Sequence, residues 1–581
     1  MRLALAQGLR THSRAAALGA AAVLLFGTVP AAAAAGGGVK TSQDPMLSKL
    51  VDGMSVEALI TVGETAGDDG YVYEAIPDGI SLRLKGNGVV EAFINHETAR
   101  VPFPYAAVGT PPTTANSQND FDNAQLSRLL LNQKSAGVLS GKLVITSDQN
   151  YQRFCSNFLA TSAQGFDREL LFTNEETPDW VNRTGNAWPT TVGAATAREG
   201  GVVVAFDPKT NKSKPIWGMG RHNHENSVAI PGYDDLLLLS GDDTFTNNPS
   251  QSQVYAYRAP NADAVWNDQG SLWAFKSTTT GYTKYEDFVP GSAAQIDGSF
   301  VEVPRLIATG RNADGTELMS GTVPASLGGP YPLPPNDGTW QRDPVTGVPV
   351  DGPQWVLENW SRANGVFAFV RVEDIAYDKR PGMSNVVYVV DSGRGTTGLV
   401  AAGKSTNGRV WKMVLDPNDP TKAKLSILIE GDDSPVKTLT EMHQPDNIES
   451  TPNALYFQED PGSSQQFPVD SSDPNKTPAR VWQYALSTGM LRPILAVDQS
   501  LDEGSTDKDP ATTKGNLGSW ESSGIVDASA AFGPGAFLIN VQAHSLFVEV
   551  GDGDDNFAPT GADFLNKREG GQLLLVRIPG G

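Results

Sequence analysis

The chain has 581 residues, a formal net charge of -22 at pH 7 and one cysteine. The acidic charge disfavours nucleic acid and anionic lipid as partners, because both are polyanions. A single cysteine excludes disulfides within the chain, so stability must come from a large core or from bound metal. Excess carboxylates suit hard cations such as calcium, although a merely soluble acidic surface is the alternative.

The N-terminus has the three parts of a secretory signal peptide. Three arginines within the first 14 residues precede an apolar run, and alanines 31–35 end it. We therefore expect export, with residues 1–35 removed and residues 36–581 forming one secreted domain. A membrane anchor is the alternative, but the apolar run is short for one, and we expect no membrane span elsewhere. No Arg-Arg pair precedes the run, so the twin-arginine route is not supported.

Helical signals are few, and the clearest lies at 122–134, where leucines are spaced for an amphipathic helix. The whole chain has 60 glycines and 39 prolines, and they separate short apolar runs. Such runs, bounded by turn residues, predict strands and turns. One type of run has the shape of an outer blade hairpin, and it recurs at 201–208, 254–257, 408–417, 480–486 and 571–578. A second type, which we interpret as innermost strands, recurs at 236–240, 385–391, 454–457 and 536–541.

Repetition of such hairpins over several hundred residues favours an all-β fold of the β-propeller class, for which we expect six blades and long loop insertions. The segment 310–353 is rich in proline and glycine and has little strand pattern. We expect it to be a long surface insertion or lid within the single domain.

Acidic residues gather where these strands end. They occur at 95–97, 174–176, 222–226, 371–375, 445–448, 458–460, 521–527 and 540–544. Singly, each set is typical of solvated turns. In a propeller, however, innermost strands meet at the channel mouth, and converging carboxylates repel one another unless cations or protons are present. Oxygen-rich ligands with few histidines favour calcium, magnesium or iron over structural zinc.

The order of these motifs resembles the PhoX-type alkaline phosphatase family over most of the chain. The motifs are Asn95-His96-Glu97, Asn174-Glu175-Glu176, Gly220-Arg-His-Asn-His-Glu225, Arg371-Val-Glu373-Asp-Ile375, Pro445-Asp-Asn-Ile448 and Asn540-Val-Gln542. The resemblance implies a six-bladed propeller that holds a calcium and iron cluster at the channel mouth and cleaves phosphate monoesters.

The resemblance also implies roles for individual residues. The metal ligands would be Glu175 or Glu176, together with Glu225, Glu373, Asp446 and Glu459, with Cys155 as an iron ligand. Arg371 would bind the substrate phosphate, since a guanidinium pairs bidentately with phosphate oxygens. From the residues alone, Cys155 is a buried small side chain, the usual role of a lone cysteine, or a reactive thiol or metal ligand. Arg371 is equally consistent with a surface salt bridge.

Histidines contribute a further hypothesis. Three histidines lie within these motifs: His96, His224 and His544. Each is a candidate to act as an acid or to donate a hydrogen bond to phosphate, although a structural role is the alternative. A second cation loop is suggested at 552–563, where aspartates have EF-hand spacing but phenylalanine replaces the glycine at the sixth position.

We therefore predict a secreted, monomeric, metal-dependent phosphatase that uses calcium, and iron at Cys155, and acts on a small phosphorylated substrate. One alternative is a calcium-dependent lactonase or phosphotriesterase. The other is a secreted propeller that binds a partner without catalysis, since propellers host many functions.

Overall fold

The structure is a computed structural model. It describes residues 37–67, 70–99, 123–177, 180–181, 198–244, 250–336, 349–393, 407–432, 440–461, 477–500, 520–549 and 567–580. The predicted signal peptide (1–35) and the predicted cation loop (552–563) lie outside these residues. Among the helices that are described, none has the length and hydrophobicity needed to cross a bilayer.

In the described residues, six antiparallel blades surround a central channel and form a β-propeller, and two of these blades are joined in one nine-stranded sheet. Before the first sheet come β1 (Leu47–Lys49), β2 (Ser55–Thr61), β3 (Thr65–Ala66) and β4 (Tyr71–Val72). Blade one contains β5 (Pro77–Gly86), β6 (Val89–His96), β7 (Gln125–Asn132) and β8 (Val138–Ile145). Blade two contains β9 (Phe154–Ala160), β10 (Leu170–Glu175), β13 (Val203–Asp207) and β14 (Lys212–Ile216), with a ribbon of β11 (Trp180–Val181) and β12 (Arg198–Glu199).

The remaining blades follow in chain order. Blade three contains β15 (His224–Ile230), β16 (Leu236–Asp242), β17 (Val254–Ala259) and β18 (Ser271–Ser277), and β19 (Gln295–Glu302) follows it. Blade four contains β20 (Val372–Tyr377), β21 (Val386–Asp391), β22 (Arg409–Leu415) and β23 (Lys422–Glu430). Blade five contains β24 (Pro445–Ser450), β25 (Ala454–Glu459), β26 (Arg480–Ala485) and β27 (Leu491–Val497). Blade six contains β28 (Glu521–Asp527), β29 (Ala536–Glu549) and β30 (Lys567–Arg577).

Short helices connect these strands, as the sequence predicts. The α-helices are α1 (Ala262–Trp266), α2 (Arg305–Thr309), α3 (Pro353–Ala363) and α4 (Ser529–Phe532). Short 3₁₀ helices occur at Ser147–Gln149, Ser162–Gln164, Trp217–Met219, Tyr285–Asp287, Ser320–Thr322 and Ala325–Leu327.

The innermost strands form a closed ring. Strands β5, β9, β15, β20, β24 and β28 contact one another in that order, and β28 contacts β5. Both faces of each sheet are apolar, so hydrophobic clusters fill the space between every pair of neighbouring blades. Phe93 of blade one, for example, packs with Leu171 of blade two in one such cluster. Burial of each large side chain contributes about 1.5–3 kcal/mol, so the core can stabilise a chain without disulfides.

The two ends of the described chain complete the ring. Strand β2 pairs with β30 as the outer strand of blade six, and β1 pairs with β27 at the edge of blade five. Strand β19 pairs with both β18 and β23, which joins the outer edges of blades three and four.

The described part of the predicted insertion lies against blade three. Leu318 and Val323 are buried with Leu272 and with Val356 of α3 in one cluster. This part of the segment contains two 3₁₀ turns and no strand of the propeller sheets.

Two sequence-based interpretations are wrong. The runs taken as innermost strands are the second strands β16, β21, β25 and β29, because a strand precedes each of them on the channel side. The true innermost strands carry polar residues that line the channel, such as Glu225 and Asn226, and therefore lack a continuous apolar run. The predicted helix at 122–134 is instead strand β7, which is buried on both faces, so leucines occupy adjacent positions without alternating.

Candidate metal and substrate site

Each of the first five innermost strands begins with an irregularity at the channel mouth. The pairing register shifts within the first four residues of the strand, as in a β-bulge. The second residue of each strand therefore points into the mouth, and these residues are Asp78, Cys155, Glu225, Glu373 and Asp446. In four blades the residue two positions earlier has a left-handed backbone: Ile76, Arg153, Arg371 and Gln444, with φ of 38° to 56°. Such φ values are uncommon outside glycine and indicate a turn fixed by its surroundings.

A second set of acids lies where the second strands end, and here the acids come in pairs. In Glu175-Glu176, the first carboxylate accepts hydrogen bonds from the backbone N–H of Gln152 (3.0 Å) and of Val202 (3.2 Å), and the second lines the channel mouth. Glu175 thus fixes the backbone just before the two neighbouring strands, β9 and β13. Because successive side chains alternate in direction, Glu176 points toward the mouth.

Blade five repeats this arrangement. The carboxylate of Glu459 accepts from the backbone N–H of His443 and of Arg480, both at 2.9 Å, while Asp460 lines the mouth. Glu459 also accepts from Nη2 of Arg480 at 3.0 Å.

Together, these residues line one cavity of about 290 Å³. Its carboxylates are Asp78, Glu97, Glu176, Glu225, Glu373, Asp446, Asp460 and Glu521, and its other lining residues are Arg153, Cys155, Arg371, Gln542 and His544. Ligand atoms lie within 4.8 Å of one another in four overlapping groups: Asp78, Glu97 and Cys155; Cys155, Glu176 and Glu225; Glu225, Glu373 and Asp446; and Asp446, Asp460 and Glu521.

Burial and mutual repulsion dominate the electrostatics of these groups. Burial, followed by the charge of Glu97, raises the pKa of Asp78 to about 8. Burial, followed by the charge of Glu373, raises the pKa of Glu225 well above its usual range. Burial and then Asp78 likewise raise the pKa of the Cys155 thiol, which donates a hydrogen bond to Glu225 Oε1 at 2.9 Å. The groups therefore stay together only as protonated acids or around cations.

The donor set fits bound cations. Asp78 Oδ2 and Asp446 Oδ1 are buried within the described residues without a hydrogen-bond partner, which is costly unless something else binds them. Carboxylate oxygens suit calcium, and a thiol among them suits a softer transition metal such as iron. The arrangement can hold several cations side by side, because neighbouring groups share Cys155, Glu225 and Asp446.

Two cationic side chains of the cavity are held by acids. Arg371 makes two hydrogen bonds to Asp243 at 2.9 Å, and its Nη2 lies 3.2 Å from Glu373 Oε1. Burial lowers the pKa of this guanidinium, but Asp243 and then Glu373 raise it well above its usual range. His544 lies 3.7 Å from Glu521 and 3.3 Å from Glu569, and these two acids raise its pKa although burial lowers it.

Six of the residues predicted from the sequence are brought together in this cavity: Cys155, Glu176, Glu225, Arg371, Glu373 and Asp446. Glu175 and Glu459 are not, because each carboxylate is directed at backbone N–H groups. His224 is also not in the cavity lining, since its Nδ1 lies 2.9 Å from Ser240 Oγ and its Nε2 lies 3.1 Å from Gly220 O. Burial lowers its pKa to about 3, which indicates a neutral structural imidazole.

His96 and His544 differ from each other. The ring nitrogens of His96 lie 3.0 Å from Ala75 O and 2.7 Å from Ser127 Oγ, so its contacts are structural. Only His544, of the three histidine candidates, lines the cavity.

Sequence reasoning did not select several lining residues. Glu97, Asp460, Glu521 and Gln542 lay within the acidic motifs, but those motifs do not show which of their residues faces the cavity. Asp78 gave no signal, because Pro77-Asp78-Gly79 has the composition of an ordinary turn.

Hydrogen bonds close the channel beneath the cavity. Asn447 Nδ2 of blade five donates to Ser156 Oγ of blade two at 2.9 Å, and these blades lie opposite each other in the ring. The carbonyl of the same amide accepts from Gly524 N (2.8 Å) and Ser523 Oγ (3.2 Å) of blade six. On the other side of this floor, isoleucines of four innermost strands line a separate pocket of about 210 Å³.

No protein-family model matches the sequence, and no curated protein matches it. Among solved structures, the chain is similar to PhoX from Pseudomonas fluorescens in complex with vanadate, a transition state analogue. The identity is 14%, the TM-score is 0.55, and the match covers 92% of this chain and 96% of that one. An arabinanase from Penicillium chrysogenum (10% identity, 89% and 98% covered) and the NanB sialidase from Streptococcus pneumoniae (7%, 89% and 70% covered) match with TM-scores of 0.33 and 0.35. At these identities the likeness is one of fold, and the chain has a PhoX-like propeller fold.

Proposed function

We propose that the protein is a metal-dependent hydrolase of phosphate monoesters, with its active site in the carboxylate-lined cavity. The observation that carries this proposal is the convergence of eight carboxylates and one thiol with Arg371 in one cavity. The PhoX-like fold supports it, since the PhoX structure contains vanadate, a transition state analogue.

The four overlapping groups would hold the cations. Calcium is the expected ion where every donor is an oxygen, and iron is the expected ion beside Cys155. When bound, such cations polarise phosphoryl oxygens and lower the pKa of bound water. The carboxylates would hold the cations in place, because each acid lies in a strand of a blade or directly after one.

Arg371 would bind the phosphate group. Its guanidinium reaches the cavity, where it would donate to phosphate oxygens and offset their charge. Since nearby acids keep the guanidinium protonated, it would bind an anion across the whole working pH range. An anionic substrate is favoured over a lactone or a neutral triester, because a neutral substrate gives a charged arginine little to bind.

Hydrolysis of p-nitrophenyl phosphate tests the proposal directly. We expect activity at alkaline pH that is lost on chelation and restored by calcium, with iron also needed if the thiol site contributes. Arg371→Ala should abolish most activity and retain the metal. Arg258→Ala, which breaks a pair with Asp235 (3.0 Å) that lies outside the cavity lining, is the matched control and should stay active.

Other outcomes would favour the alternatives. Turnover of lactones or phosphotriesters without turnover of the monoester would indicate the rival hydrolase. Folded, metal-loaded protein that hydrolyses no ester would contradict an enzymatic role and favour a binding propeller. The proposal includes export of the chain, which N-terminal sequencing of protein from the culture medium tests.

A further inference from the structure

Asp243 holds the guanidinium of Arg371 from behind the cavity. Nε of Arg371 donates to Asp243 Oδ1 and Nη2 donates to Oδ2, both at 2.9 Å. The side chain of Asp243 is 0% exposed and that of Arg371 is 15% exposed. Asp243 therefore contacts the arginine without itself lining the cavity.

Asp243 is itself held rigidly at the end of β16. Its backbone N–H donates to Asn223 O at 3.0 Å, and its carbonyl accepts from Asn223 Nδ2 at 2.9 Å. Asp242, next to it, accepts from Thr244 Oγ1 at 2.9 Å. The first two contacts fix the backbone of Asp243 to blade three.

Blade three also holds the backbone of Arg371, which belongs to the start of blade four. The N–H of Arg371, at φ of 56°, donates to Ser252 Oγ at 2.7 Å. Ser252 and Phe369 form an isolated bridge in which Phe369 N donates to Ser252 O at 2.8 Å. The two blades approach so closely here that a Cβ on Gly241 would lie 2.4 Å from Glu373 O.

We propose that Asp243 is a positioning residue, which fixes the guanidinium of Arg371 in the orientation that binds the substrate phosphate. This inference rests on the proposed function. Without Asp243, the guanidinium can turn toward Glu373 Oε1, 3.2 Å from Nη2, or toward Asp460 Oδ2, 4.0 Å away. Two parallel hydrogen bonds fix both the position and the plane of a guanidinium, and a misplaced binding group costs catalysis steeply.

The test is a double-mutant cycle on hydrolysis of p-nitrophenyl phosphate by metal-loaded protein. Asp243→Asn conserves volume but removes one acceptor and the charge. We expect it to lower kcat/KM by about 10- to 100-fold. In an Arg371→Ala background, the same change should alter kcat/KM by less than about twofold, because a positioning residue acts only through the residue that it positions.

Two controls separate positioning from structural damage. Glu317→Gln breaks another buried arginine pair (Arg221, 2.7 Å), which does not line the cavity, and should leave kcat/KM near the wild-type value. Because Asp243 also adjoins the carboxyl group of Glu176, bound metal is measured in every variant and should be unchanged. If Asp243→Asn does not fold, Ser252→Ala loosens the same arginine, and the same cycle applies to it.

Each outcome decides the question. Equal effects of Asp243→Asn with and without Arg371, or loss of metal that accounts for the effect, would overturn the positioning role while leaving the phosphatase proposal intact. Wild-type activity in Asp243→Asn would do the same. A wild-type protein that neither hydrolyses phosphate esters nor binds inorganic phosphate in calorimetry would overturn the proposed function, and this inference with it.

Discussion

Replacing Asp78 by asparagine should stabilise the metal-free protein at high pH and weaken the metal-loaded protein. Asp78 is fully buried, and its pKa is about 8 in the fold against 3.8 for the ordinary side chain. Its Oδ1 accepts from Ser523 Oγ at 2.5 Å, while its Oδ2 has no hydrogen-bond partner in the described residues. Asparagine keeps the first contact and removes the charge.

The direction of the pH dependence follows from proton binding. Between pH 3.8 and about 8, the folded state keeps the proton on Asp78 and the unfolded state has lost it, so the stability of the metal-free protein falls as pH rises. At about 1.4 kcal/mol per pH unit, the loss amounts to on the order of 5 kcal/mol and is complete above pH 8. An amide N–H without a partner costs about 1–3 kcal/mol, so Asp78→Asn should gain about 2–4 kcal/mol at pH 9 and almost nothing at pH 5.

Thermal unfolding of chelator-treated and calcium-loaded protein at pH 5 and pH 9 measures the stability difference between Asp78→Asn and the wild type. Asp297→Asn, which changes a 69% exposed acid, is the control and should behave like the wild type. In the presence of calcium, Asp78→Asn should be less stable than the wild type, because the variant has lost a metal ligand and gains less stability from the metal. The reasoning is refuted if the metal-free wild type shows no dependence on pH, or if Asp78→Asn gains no stability at pH 9.

Three further predictions follow from the hydrogen bonds of the site. Glu459→Gln should lower the stability by about 3–5 kcal/mol because it removes the negative charge that Arg480 Nη2 contacts at 3.0 Å, yet retain calcium. Asp460→Asn should instead lose calcium, and equal metal loss in both by elemental analysis would contradict this. Asn447→Ala should cost about 1–3 kcal/mol in urea unfolding, because it removes the acceptor of the buried Gly524 N–H; an unchanged unfolding midpoint would count against it. Cys155→Ser should lose iron but keep calcium, and retained iron would show that the thiol is not a ligand.

The fold class was predictable from the sequence because the second and third strands of the blades are buried on both faces. Such strands give apolar runs that end in turns, as in β22 and β26. The innermost strands were not predictable in this way, because they contain polar residues such as Asn226 and Asp374 that line the channel and do not pack in the hydrophobic core. Strand β7 was mistaken for a helix because several consecutive leucines satisfy either period.

The site was only partly predictable, for a geometric reason. Side chains alternate between the two faces of a strand, so the pairing register decides whether Glu175 or Glu176 faces the cavity. A sequence motif does not give that register. At Asp78 and Cys155, a shift in pairing register interrupts the alternation, so the direction of the side chain is decided by the bulge. Arg371 was selected, but its partner Asp243 was not, because 128 residues separate them in the chain.

The floor of hydrogen bonds under the cavity has a consequence for molecular traffic. Asn447 and Ser156 span the axis from opposite blades, so the described part of the channel is closed below the cavity. Within the described residues, a molecule that enters the cavity would leave through the same mouth, past the arginine and the acids. Under the proposed function, a bulky alcohol fragment at the opening would hold the smaller anion behind it and delay the arrival of the next molecule.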